Sequence, residues 1–104
     1  YPHYAFKVGE AVASHELDFG VLICSSGIGM SIACNKVPGV RCAKVNNTWE
    51  AKMTRIDNDA NVIAIGSRLT MEESKEILKV FLTTEHPKEE RHDRRIALID
   101  NYHV

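Results

Sequence analysis

Gly20-Val-Leu-Ile-Cys24, running on into Ser25-Ser-Gly-Ile-Gly-Met-Ser31, is the stretch on which the fold turns. The apolar run reads as a buried strand that stops at a cysteine. A glycine-rich turn follows, and Met30-Ser-Ile-Ala-Cys34 then has helical character. This order sets a thiol at the C-terminal end of a strand and beside the N-terminus of a helix. Ligands of open α/β sheets bind at such strand ends. Free amides and the helix dipole favour an anion there, whether a bound oxyanion or a thiolate. The residues thus offer a nucleophile or base beside an anion site, with a small buried hydrophobe as the plainer reading of Cys24.

Outward from this stretch the chain alternates helices and strands. Residues 2–14 read as a helix with Tyr4, Val8, Ala11 and Val12 near one face and Glu10 opposite. The first strand covers 19–24, and the helix behind the turn covers 29–36. Pro38-Gly39 breaks the chain before a second strand over 40–45. Asn47-Thr48 can cap a helix over 48–57, with Trp49, Met53 and Ile56 at core spacing. Val62-Ile-Ala-Ile-Gly66 is a third buried strand. Thr70 and Glu73 have capping-box spacing for a helix over 71–84, in which Ile77, Leu78, Phe81 and Leu82 pack. A last helix follows Pro87, near 89–102.

The alternation predicts one α/β domain over 1–104, Rossmann-like, with a parallel sheet between two helical layers. Because the sequence opens on an amphipathic helix, its first strand would have a bare edge. The pattern therefore predicts that the first β-α-β portion is missing from this sequence.

Composition narrows the function. A net charge of −1 gives no global field for nucleic acid or an anionic membrane. The apolar runs fall far short of the ~20 residues of a membrane span. Cys24, Cys34 and Cys42 lack CxxC spacing, which fits reduced thiols in a cytoplasmic protein. Cys34 and Cys42 read as core residues. Gly27-Ile-Gly29 begins a dinucleotide fingerprint, but Ile32 stands where the third glycine belongs, and no Gly-Lys-Ser/Thr occurs. Asp57-Asn-Asp59-Ala-Asn61 starts like a calcium loop, yet its sixth and twelfth positions are Val62 and Arg68. The cysteines and histidines show no zinc spacing. No metal or cofactor is expected.

Several blocks together resemble the type-B ribose-5-phosphate isomerases. These are Tyr1-Pro-His-Tyr4, Gly9-Glu-Ala-Val12, Leu22-Ile-Cys24, Ser26-Gly-Ile-Gly-Met-Ser-Ile-Ala33 and Asn35-Lys-Val-Pro-Gly-Val-Arg41, then Asn58-Asp-Ala-Asn-Val62, Gly66-Ser-Arg68 and Arg91-His-x-x-Arg95. They run in order over nearly the whole chain. Members of that family carry about forty further residues in front, the size of a β-α-β unit. The resemblance implies interconversion of ribose 5-phosphate and ribulose 5-phosphate through an enediolate, without a metal. It makes Cys24 the base and puts Ser26 close to the sugar oxygens. The amides of Gly27, Ile28, Gly29, Met30 and Ser31 would hold the enediolate. Tyr1 and Asn58 would contact the sugar, and Arg68, Arg91, His92 and Arg95 the phosphate. The C-terminal arginines would serve a neighbouring subunit, implying a homodimer or a tetramer.

One departure concerns ring opening. The family usually carries histidine where this chain has Asp57, whose unperturbed pKa of ~3.9 makes it a poor acid at neutral pH. Two alternatives stand beside the isomerase reading. One is a galactose-6-phosphate isomerase subunit, which shares the Asn35-Lys-Val-Pro-Gly39 block. The other is a sugar-phosphate-binding module without catalysis.

Overall fold

The computed structural model describes residues 1–103. The elements are α1 (Pro2–Ala13), β1 (Gly20–Cys24), α2 (Ile28–Cys34), β2 (Cys42–Lys44), α3 (Thr48–Asn58), β3 (Val62–Gly66), α4 (Met71–Thr83) and α5 (Glu90–Asn101). The sheet is parallel with strand order β1-β3-β2, Gly20 pairing with Val62 and Cys42 with the same residue from the other side.

β3 divides the core. Side chains alternate across a strand, so Val62 and Ala64 face one layer while Ile63 and Ile65 face the other. The first layer gathers Ala5 and Val12 of α1, Leu22 of β1, and Met30, Ala33 and Cys34 of α2. The second gathers Ala51 of α3 with Ile77 and Phe81 of α4. This is the three-layer α/β/α arrangement that alternation predicts. Among the described residues no helix is long and apolar enough to cross a membrane.

Local chemistry sets most boundaries. The Asn47 side chain accepts from the Glu50 amide at 2.8 Å and starts α3. Thr70 and Glu73 form the reciprocal capping box that starts α4, at 3.1 and 2.9 Å. At the end of α3 it is Asp59, not Asn58, that takes the left-handed conformation, with φ 45°. Its side chain explains why: it accepts from Arg55 at 2.7 Å.

Four packing expectations are overturned. Trp49 is 67% exposed, since α3 turns Ala51, Thr54 and Arg55 inward instead. Tyr4 is exposed because α1 buries Ala5, Gly9 and Val12. Leu82 is exposed beside buried Phe81. Ile23 is 57% exposed, because β1 lies at the edge of the sheet and α3 and α4 do not reach over it.

Candidate active site

β1 ends at Cys24, and its carbonyl still accepts from the Ser67 amide at 2.8 Å, so the sheet holds the residue from behind. The chain then reverses through Gly27 at φ 81°. A Cβ there would lie 3.0 to 3.2 Å from the β3 backbone at Ala64 and Ile65. Glycine is thus required twice, for the conformation and for the close approach.

The reversal folds the turn's amides back onto the sulfur. The Gly27 amide donates to Cys24 Sγ at 3.2 Å. A hydrogen bond from the Met30 amide lowers the thiol pKa most; partial burial opposes it, and the Gly27 and Ser26 amides add to the lowering. The net result is a pKa below the ordinary thiol value. Ser26 stands exposed next to it, its Oγ accepting from the Ile28 amide at 3.2 Å. The Ser31 amide donates to the Gly27 carbonyl, as the first full turn of α2 requires. The Tyr1 ring and hydroxyl lie against Gly29, where a side chain would collide with them.

Beside this turn opens a cavity of about 330 Å³ lined by Ser25, Ser26, Lys44, Asn46, Gly66 and Arg68, among others. It lies at the C-terminal ends of all three strands and carries two cations, Lys44 and Arg68. A lysine ending a short strand carries no distinctive local pattern, so Lys44 joins the site only through the fold.

The other expected site residues cluster elsewhere. Asn58 lines a separate cavity of about 210 Å³ with Cys42, Thr54 and Ile99. Its side chain accepts from the Thr54 hydroxyl at 3.1 Å. His92 is buried, with Nε2 3.5 Å from Asp57 Oδ1 and 3.3 Å from Glu89 Oε2. Arg91 is exposed, its Nε 3.8 Å from Glu89, and Arg95 is exposed on the same helix. Neither arginine lines the cavity beside Ser26. The structure therefore assembles Tyr1, Cys24, Ser26, the turn 27–31 and Arg68 at one place, and Asp57, Asn58, Arg91, His92 and Arg95 along α3 and α5.

Two arginines to which the sequence assigns no role anchor α3 and α5. Arg41 grips Asp100 of α5 through two hydrogen bonds of 2.8 and 2.9 Å and also reaches the carbonyls of Asn58 and Asp59. Arg55, almost fully buried, donates to Asp59, Ala60 and Thr84 and lies over the rings of Phe19 and Phe81 at 5.0 and 5.8 Å. Among the described residues no three His, Cys, Asp or Glu side chains converge as a metal cage.

A parallel α/β/α sheet with a thiol and an amide-rich turn at the C-terminal end of β1 defines an α/β protein whose strand ends offer an anion site. The Ribose/Galactose Isomerase family matches residues 1–99, and the chain belongs to that family. It is 42% identical over 100 residues to ribose-5-phosphate isomerase B of Escherichia coli, covering 95% of this chain and 66% of the relative. The type B ribose 5-phosphate isomerase of Trypanosoma cruzi superposes with a TM-score of 0.93 at 53% identity, covering 96% of this chain and 67% of that one. The enzyme of Mycoplasma genitalium with bound ribulose-5-phosphate does so with 0.92 at 38% identity, covering 98% and 68%. The chain thus spans about two thirds of the length of these relatives.

Proposed function

We propose that this chain carries the catalytic thiol of an aldose–ketose isomerase that interconverts ribose 5-phosphate and ribulose 5-phosphate. The Cys24 thiolate removes the proton from C2 of the open-chain aldose, and electrons move onto the C1 carbonyl oxygen. A proton shifts between the two oxygens of the resulting enediolate, and Cys24 returns its proton to C1. Negative charge passes from sulfur to the sugar oxygens, both beside the start of α2, so the same helix end and turn amides favour each state. Ser26 and Tyr1 orient the sugar, and Arg68 attracts the phosphate from within the Ser26 cavity. Asp57 takes the ring-opening position; it lies with Arg91 and Arg95 rather than at the Ser26 cavity, so like them it would act on the sugar of a second copy.

Arg91 and Arg95 are assigned to the phosphate of a second copy of the chain. Their separation from the Ser26 cavity supports this, as does the sugar-phosphate chemistry named for the relatives. The observation that carries the whole reading is the hydrogen bond from the Gly27 amide to the Cys24 sulfur at the end of β1.

The test is steady-state turnover and calorimetric binding of ribose 5-phosphate by the wild type and Cys24→Ala. Turnover should fall ~10²–10⁴-fold, the usual cost of losing a general base, while binding changes little. A Cys24→Ala protein that still turns over would overturn the assignment. The family description also embraces galactose isomerases, so galactose 6-phosphate belongs in the same assay. Faster turnover of that sugar would move the substrate to a hexose phosphate. Binding of either sugar without turnover by the wild type would leave a binding module.

A further inference from the structure

His86 lies in the segment between α4 and α5, and its ring is largely buried. Nδ1 is 2.8 Å from the Ile56 carbonyl and 3.1 Å from the Arg55 carbonyl, both on α3. Nε2 is 2.7 Å from Asp93 Oδ1 on α5. All three neighbours are acceptors. A neutral imidazole has one N–H, so one side of the ring would press a bare lone pair against oxygen. Only the imidazolium donates in both directions.

The charged groups that face it are few. From α3 come Asp59 and Arg55, and the guanidinium is committed to Asp59, Ala60 and Thr84. From α5 comes Asp93, which sits two residues from Arg91 on one side and two from Arg95 on the other. Burial works against the ring's charge. The Asp93 carboxylate, the Ile56 carbonyl, the Asp59 charge and the Arg55 carbonyl together outweigh it, and the pKa lies above the ordinary histidine value.

We propose that His86 is a positioning residue for the isomerase reaction: as an imidazolium it latches the end of α3 to the first turn of α5, fixing the helix that presents Arg91 and Arg95 to phosphate. The proposal rests on the phosphate role given above to those arginines. Its sign follows from the raised pKa. The latch is complete below the ordinary histidine pKa and is lost as pH rises through the higher folded value. Once it opens, α5 is held by the Arg41–Asp100 grip and by Ile96.

The experiment follows α5 amide protection factors and KM for ribose 5-phosphate together, from about pH 5.5 to about pH 8.5, across the histidine range. In the wild type, protection over residues 91–101 should fall as His86 titrates, and KM should rise over the same interval with little change in kcat from this step. In His86→Gln the step that follows the His86 ring titration should vanish from both profiles, with protection at low pH about tenfold below wild type, as the loss of a charge-assisted bond implies. Asp93→Asn should move the His86 ring titration, read from its C–H resonances, to lower pH, and Asp93→Glu should restore it. An α5 protection profile shared by wild type and His86→Gln would overturn the latch. An α5 that loosens as expected with no change in KM would overturn the positioning role. A wild type that neither binds nor turns over the sugar at any pH, yet shows the α5 transition, would overturn the phosphate reading and with it the positioning role, while upholding the latch itself.

Discussion

A thiol serves as a base near neutral pH only so far as its surroundings favour the thiolate. At Cys24 that favour comes from the backbone amides of the turn, Met30 before Gly27 and Ser26, with the Gly27 amide 3.2 Å from the sulfur, against a cost of burial. The other two cysteines lack it. Cys34 has no exposed surface, and the Cys42 thiol is pushed up by its pairing with Cys34 and by burial. Iodoacetamide should therefore modify Cys24 first, with a rate that reaches half its maximum below the ~8.5 of a free cysteine. Protection by ribose 5-phosphate would localise the reaction further. Mass spectrometry finding Cys34 or Cys42 alkylated ahead of Cys24 would refute this ranking.

At the scale of an element, α3 shows what a side chain's partners decide. Arg55 satisfies its guanidinium with three oxygens and two aromatic rings, and is itself almost fully buried although its Asp59 partner is partly exposed. Arg55→Leu should cost about 1.5–3 kcal/mol in urea unfolding, the range for hydrogen bonds to charged groups. Arg94→Ala, which removes only an exposed pair with Glu90 at 3.3 Å, should cost under about 1 kcal/mol. Equal losses in the two variants would deny Arg55 its structural role. The same helix marks how far sequence reaches. The caps at Asn47 and at Thr70–Glu73 were legible because donor and acceptor lie three residues apart. The strand at 62–66 was legible because four successive apolar residues suit a strand covered on both faces. The inward face of α3 was not. Periodicity says that Trp49 and Met53 share a face, but the alternative face of Ala51, Thr54 and Arg55 wins through Asp59, Thr84, Phe19 and Phe81. Of these, only Asp59 lies within a helical turn of Arg55. The candidate site divides in the same way: the Cys24 turn is local and could be read, whereas the separation of Arg68 from Arg91 and Arg95 depends on where α5 docks.

For the molecule as a whole, that separation predicts complementation. If the arginines of α5 complete the site of a second copy, mixing Cys24→Ala chains with Arg91→Ala chains should recover activity, since some mixed pairs hold one intact site. With exchange between copies proven, a mixture no better than its parents would mean that each chain supplies its own arginines. The strand order has a consequence of a different kind, in time. β1 has no pairing with β2, so residues 20–24 wait for residues 62–66 before their ladder can close. Such nonlocal pairing slows folding. A ribosome adding about 5–20 residues per second keeps β1 waiting for seconds. The turn that acidifies Cys24 leans on that late strand, through the Ala64 and Ile65 backbone behind Gly27 and the Ser67 amide on the Cys24 carbonyl. A nascent chain thus carries an ordinary thiol, and its sulfur acquires reactivity only when the sheet is finished.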